Sequence, residues 1–318
     1  MIKMKQCCYM FYPAGKQVII LLFVSCLMYD VANAYKGTSS RLGSYPFTYY
    51  TGDTSRRCLD QLKSLPGKYD YALLKKACSK VSVKSGCVSR KGTPIYHYES
   101  LSKRKGPAKR IIVLSLIHGD ESESGSVARR WMTRLEKISS RNHWRIVPVV
   151  NPDGWEKNSR VNEAGVDINR NFPTADWDKL AVQLWKKRYK SNPRRNPGPS
   201  AGSELETRCV MKHMDDFQPD FVIAIHTPYG VLDYDGPNVP LPKFSDIPWV
   251  RLGTFPGSLG RYMWVDRNVP VLTVELKDSK ILAMIDRVDR LQDISGTVAI
   301  RSYNQNTKKP QSSPVSKP

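Results

Sequence analysis

The apolar positions of this chain follow two periods, and the places where one gives way to the other mark its elements. Ile111-Ile112-Val113-Leu114-Ser115-Leu116-Ile117 contains a single polar residue, the pattern of a strand covered on both faces, as in the parallel sheets of α/β proteins. Phe221-Val222-Ile223-Ala224-Ile225-His226 repeats it, and so does the run from Val269 to Leu276, interrupted by Glu275. Residues 144–150 read as a further strand, ended by Asn151-Pro152-Asp153-Gly154, whose Pro and Gly dictate a turn. The alternation in Pro94-Ile95-Tyr96-His97-Tyr98 predicts an edge strand.

Helical spacing takes over at Val127, Ala128, Trp131, Met132 and Leu135, predicting an amphipathic helix over 122–137 whose stripe is core. A second helix carries Leu205, Cys209, Val210 and Met214; it opens on Ser203 and Glu206 at capping-box spacing and closes at Pro219. His213 on that helix, among charged neighbours, reads as a surface residue. Residues 281–294 predict a closing helix. Strands alternating with helices support an α/β class with helices flanking a sheet.

The start of the chain reads differently. Lys3, Lys5 and Lys16 precede an apolar run over 18–28, and Ala32-Asn33-Ala34 supplies the small-x-small pattern of a signal-peptidase site. The run is shorter than the roughly 20 residues a membrane helix needs, so residues 1–34 are expected to be a signal peptide, with an uncleaved anchor as the other reading. Cleavage after Ala34 would place the protein in the periplasm or outside the cell, with no transmembrane segment left. Residues 35–105 form a small cysteine-containing N-terminal segment, residues 106–300 the main domain, and residues 301–318 a disordered basic tail. Cys58, Cys78, Cys87 and Cys209 remain beyond the expected cleavage point, an even number that in an exported chain predicts two disulfides of unspecified pairing. The net charge of +21 implies an anionic partner; for an exported protein that is cell-wall polymer or anionic lipid, and no nucleic acid is expected.

The chemistry gathers where the buried strands end, since ligands of open α/β sheets sit beyond the carboxyl ends of the strands. His118 and Glu121 follow the first strand, three positions apart, and His226 ends another, 105 residues after Glu121. Together they make a His₂Glu set with one coordination position open, as in catalytic zinc sites. Glu275 is a carboxylate inside an apolar strand, which is costly without a partner or a role. The loop 160–173 is dense in groups that hold a carboxylate, including Arg160, Asn169 and Arg170. The basic, Pro-rich stretch 186–200 reads as an exposed loop, and 229–240, rich in Gly, Pro and Asp, as a binding loop.

These ordered motifs, His118-Gly119-Asp120-Glu121, Asn151-Pro152-Asp153-Gly154, Arg160, the run from Gly165-Val166-Asp167-Ile168-Asn169-Arg170 to Asn171-Phe172-Pro173, His226 and Glu275, resemble those of the M14 family of zinc metallocarboxypeptidases, and most of all its bacterial murein peptide amidase A branch. The resemblance covers about residues 110–276 and implies a central mixed, largely parallel sheet. It further implies one Zn²⁺ per chain held by His118, Glu121 and His226, with Asp167 behind the first histidine. Glu275 would act as general base, Arg160 would stabilise the oxyanion, and Asn169 with Arg170 would grip the substrate's terminal carboxylate. The family's mobile tyrosine has no counterpart before Gly257-Ser258, and Tyr229, Tyr234 and Tyr262 are the alternatives. Asp233-Tyr234-Asp235-Gly236-Pro237 is similar to the amidase branch, and Asp233 or Asp235 is expected to meet a cationic substrate group.

The function so implied is hydrolysis of the γ-D-Glu-meso-diaminopimelate bond of murein peptides, with release of the carboxyl-terminal residue. A DD-, LD- or general metallocarboxypeptidase, an N-acyl amino acid deacylase and a non-catalytic wall-binding protein remain as alternatives.

Overall fold

The computed structural model describes residues 53–106, 108–244 and 247–306. The expected signal peptide, and the expected tail beyond residue 306, lie outside them. In chain order the helices are α1 (Thr54–Lys63), α2 (Tyr71–Cys78), α3 (Ser122–Leu135), α4 (Pro152–Glu156), α5 (Val182–Lys187), α6 (Leu205–Phe217) and α7 (Ile285–Asn306), and the strands are β1 (Ser82–Val88), β2 (Pro94–Ser100), β3 (Arg110–Ser115), β4 (His143–Val147), β5 (Phe221–His226), β6 (Val231–Asp235) and β7 (Val271–Glu275).

One seven-stranded sheet runs in the order β1-β2-β4-β3-β5-β7-β6. Its centre, β4-β3-β5-β7, is parallel, and β1, β2 and β6 add antiparallel margins. The buried apolar runs become the parallel centre for a simple reason: both faces are covered. Ile111 and Val113 pack on one side with α1, α2, α3 and α7, while Ile112 and Leu114 pack on the other with α6.

Four expectations about these elements need correcting. The strand at 94–98 is second from the margin, and the edge position belongs to β1, in which only Cys87 is fully buried; an edge strand this exposed has no hydrophobic alternation to read. The loop at 229–240 contains β6, the opposite edge. The capping box at Ser203 and Glu206 does not form, because neither side chain caps α6. Glu206 is instead fully buried and accepts from Asn162 Nδ2 (3.0 Å) and the Arg90 backbone N–H (3.3 Å), tying the loop after α4 to the sheet margin. The closing helix also starts later than its sequence pattern suggests and continues to Asn306.

Both expected disulfides are present. Cys58–Cys78 joins α1 to α2, and Cys87–Cys209 joins β1 to α6. Residues 53–105 are thereby integrated with the remainder, since β1 and β2 complete the sheet. Arg129 of α3, 2% exposed, donates to the carbonyls of Leu62, Leu65, Pro66 and Gly67 and so satisfies the end of α1. No described helix is long and apolar enough to cross a membrane.

His213, read as a surface residue, is fully buried. Its ring lies 4.8 Å from that of His97 on β2, with Arg145 Nη1 3.5 Å from its Nδ1 and Cys87 Sγ 3.8 Å from its Nε2. Arg145 is itself held by Glu99 and Asp216, and Lys84 also pairs with Asp216. Burial, reinforced by the positive charges nearby, pushes His97 down to about 4 and His213 down to about 3. Both imidazoles are therefore neutral in the fold, whereas in the unfolded chain they protonate near pH 6.5. The stability this arrangement confers is fully present above pH 6.5 and is lost as the pH falls toward 4, by on the order of a few kcal/mol. Urea midpoints at pH 7 and pH 4.5 should differ accordingly, and by less in His213→Gln. An undiminished difference in that variant would assign the acid sensitivity to other groups.

Candidate active site

The three central strands β3, β5 and β7 deliver their carboxyl ends to one rim. After β3 the chain turns sharply at Leu116 (φ 47°), whose N–H is taken by Ser124 Oγ (2.9 Å) while that hydroxyl donates to the Glu121 carbonyl (2.7 Å). This fixes the turn carrying His118 and Glu121. Gly119 is required there: an added Cβ would lie 2.1 Å from the Gly154 carbonyl carbon, so the His-Gly-Asp-Glu and Asn-Pro-Asp-Gly motifs are two sides of one backbone contact. Glu275 arrives by register, since β5 and β7 pair His226 directly with it.

The side chains then converge. His118 Nδ1 is 2.8 Å from Glu121 Oε1, and His226 Nδ1 is 2.9 Å from Glu121 Oε2. One donor atom from each of the three lies within 4.8 Å of the others, a spread that brackets the roughly 3.3 Å edge of a tetrahedron with Zn–ligand bonds of about 2.0–2.1 Å. His118 Nε2 faces Asp167 Oδ1 at 3.1 Å, the contact in which the imidazole donates from one nitrogen and keeps the other as a lone pair toward a metal. Asp167 is fully buried and receives Arg160 through Nη2 (3.0 Å) and Nε (3.1 Å). Burial alone would raise both acids. Instead the two imidazoles hold Glu121, and Arg160 with His118 holds Asp167, well below the usual carboxylate range.

Glu275 behaves in the opposite way. Burial pushes its carboxyl above the usual range, with His226 opposing, and its Oε2 has no hydrogen-bond partner among the described residues. A buried, partnerless carboxylate oxygen beside a donor set is available to accept a proton.

These groups surround a cleft of about 810 Å³ that is also lined by Arg160, Asn169, Arg170, Asp233 and Asp235, while Asp167 stands behind His118. Asn169 Oδ1 accepts from the Leu259 N–H (2.8 Å), leaving the amide nitrogen as a donor. The Arg170 backbone is clamped by Gly257, where φ is +79° and an added Cβ would sit 1.9 Å from the Arg170 carbonyl oxygen. Asp233 and Asp235 lie on one face of β6 opposite Thr273 and Val271. Burial first, and Asp233 after it, push Asp235 up to about 6.

The stretch 186–200 is exposed over most of its length, as its composition predicts, and it also forms part of the site. Arg188, Tyr189, Asn192, Arg194 and Arg195 line the cleft, and the segment is pinned to the site: Arg194 pairs with Asp120 (2.7 Å), and its carbonyl accepts from Arg160 Nε (3.0 Å). Basic, Pro-rich composition resembles a solvated loop; the interleaved Trp185 and Tyr189 were the available signal. Of the tyrosines weighed as replacements for the mobile one, Tyr229 lines the cleft at 64% exposure. Tyr234 hydrogen-bonds Ser302 (2.6 Å) and Tyr262 stacks on Phe172, both outside the cleft lining.

Known proteins agree with this frame. The sequence pattern of the Peptidase_M14 zinc carboxypeptidase family matches residues 70–235, more than half of the chain. Murein peptide amidase A of Escherichia coli K12 is 30% identical over 174 residues, covering 52% of this chain and 69% of that protein. Murein peptide amidase A of Vibrio campbellii is 25% identical over 199 residues, covering 58% and 75%. Carboxypeptidase A from Helicoverpa armigera superposes with a TM-score of 0.56 at 17% identity, over 91% of this chain and 82% of that one, a likeness of fold. The chain belongs to the M14 zinc carboxypeptidase family of hydrolases.

Proposed function

We propose that this protein is a zinc-dependent amidase that removes the carboxyl-terminal residue of murein peptides by hydrolysing the γ-D-Glu-meso-diaminopimelate bond. The relatives named above are murein peptide amidases. The observation that carries the reading is that one cleft holds a His₂Glu donor set, the partnerless Glu275, an arginine wall and an aspartate wall.

His118, Glu121 and His226 would hold one zinc ion, which supplies Lewis acidity and lowers the pKa of water to about 7. Glu275 takes the proton from the attacking water and returns it to the leaving amine. Arg160, fixed in place by Asp167 with its Nη1 3.2 Å from His118 Nδ1, stabilises the charge that develops on the carbonyl oxygen. Asn169 and Arg170 bind the terminal carboxylate, and a carboxylate anchor at a set distance from the base makes the enzyme an exopeptidase. Residues 106–300 carry this chemistry, with β1 and β2 as support. We place the protein in the periplasm or outside the cell, where the +19 charge left after removal of residues 1–34, which hold three lysines and Asp30, suits an anionic wall.

Incubation with murein tripeptide, tetrapeptide and pentapeptide tests the reading. Release of diaminopimelate from the tripeptide is expected. Release of D-Ala alone would make it a DD- or LD-carboxypeptidase, and preference for ordinary L-peptides a general carboxypeptidase. Asp235 is assigned to the distal ammonium of diaminopimelate, with Asp233 beside it. Asp235→Asn should lose at least about 30-fold in efficiency on the tripeptide, the low end for truncating one partner of a desolvated charge pair, and much less on a substrate with a neutral terminal side chain. Equal losses on both would place selectivity elsewhere.

A further inference from the structure

Five arginines line the cleft, and they divide into two groups. Arg160 and Arg194 are neutralised by Asp167 (3.0 Å) and Asp120 (2.7 Å). Arg170, Arg188 and Arg195 make no ion pair with a carboxylate among the described residues. They share two aromatic rings instead. The guanidinium carbon of Arg195 lies 4.5 Å from the Tyr189 centroid and that of Arg188 5.6 Å from it, while Arg170 and Arg188 lie 4.9 and 5.8 Å from that of Phe255.

Ring faces orient the guanidinium planes without cancelling their charge, so the N–H forks of Arg188 and Arg195 remain for an anion, while Arg170 Nη1 also donates to the Asn169 carbonyl (2.6 Å). One substrate carboxylate on Arg170 would leave the cluster with excess positive charge. The geometry points to a second anion subsite, built by Arg188 and Arg195 around Tyr189, that takes a further carboxylate of the substrate beside the terminal one. It rests on the reading of Arg170 as the terminal-carboxylate anchor.

The location suits that ligand. Phe255 belongs to the stretch that runs on to Gly260, and an added Cβ at Gly260 would be 2.7 Å from Asp235 Oδ2. The arginine wall and the aspartate wall therefore meet along residues 255–260, and one carbon bearing both an ammonium and a carboxylate can address both. The free α-carboxylate of a γ-linked D-Glu, across the scissile bond, offers the same chemistry.

Arg188→Gln and Arg195→Gln, singly and together, separate these sources. The double variant should lose about 30-fold in kcat/KM on the tripeptide, as expected for removing charge-assisted contacts. The loss should fall below about threefold either with lysine in place of diaminopimelate, which lacks the distal carboxylate, or with D-isoglutamine in place of D-Glu. Whichever analogue abolishes it names the carboxylate. Arg→Lys at both positions should recover only part, because lysine lacks the fork. Equal losses on all three substrates, or none, would overturn the subsite. Failure of the wild type to cleave the tripeptide would reject the murein reading alone. The subsite would then be judged by calorimetric binding of N-acyl dipeptides ending in Glu or Leu to Glu275→Gln: preference for Glu that disappears in the arginine variants supports it, and its absence or survival refutes it.

Discussion

Glu275→Gln is expected to lower turnover by about 10²- to 10⁴-fold, the usual worth of a positioned general base, while zinc content stays at the wild-type level. The amide keeps the shape of the carboxylate and fills the same space on β7, but it cannot accept a proton. Glu275 is not part of the donor set of His118, Glu121 and His226, so its replacement leaves that set intact. Its Oε2 has no partner among the described residues, so little packing or hydrogen bonding is lost. Steady-state rates on the tripeptide, together with metal analysis of the same preparation, check both halves. Near wild-type turnover would reassign the base to Asp120, which lines the cleft and whose buried Oδ1 has no hydrogen-bond partner among the described residues, or to Glu123.

His226→Ala should act on the metal itself. Two donors would remain where three converge, and zinc affinity should fall by more than the about 10- to 100-fold that loss of an outer hydrogen-bonding partner costs. Asp167→Asn provides the comparison, since it leaves all three donors in place and disturbs the support of His118 Nε2 together with the hold on Arg160. Zinc remaining after dialysis, and the rise in Tm on adding zinc, should both drop steeply in His226→Ala and modestly in Asp167→Asn. Linkage makes the second readout independent of catalysis, because an ion that binds only the folded state stabilises it by an amount that grows with the logarithm of its affinity. Full zinc retention by His226→Ala would remove it from the proposed set.

What the sequence determined by itself was whatever depends on immediate neighbours. The central strands were legible because a strand covered on both faces must be apolar at nearly every position, and β3 and β5 are. His118, Glu121 and His226 were legible because such strands place their ends on the functional rim, and Glu275 because an acid within an apolar run demands a role. The tertiary structure decided what depends on which distant element lies opposite. His213 looks exposed until β1, β2 and β4 cover it, bringing His97, Arg145 and Cys87 against its ring. Cys87 pairs with Cys209 because β1 lies along α6, and the even count of cysteines could not name the pairing. Arg188 and Arg195 belong to an exposed basic stretch, and only the anchoring of Arg194 by Arg160 and Asp120 shows that this stretch borders the cleft. A residue's burial and charge environment are set by long-range contacts, whereas hydrophobic periodicity records only the solvent exposure of its own element.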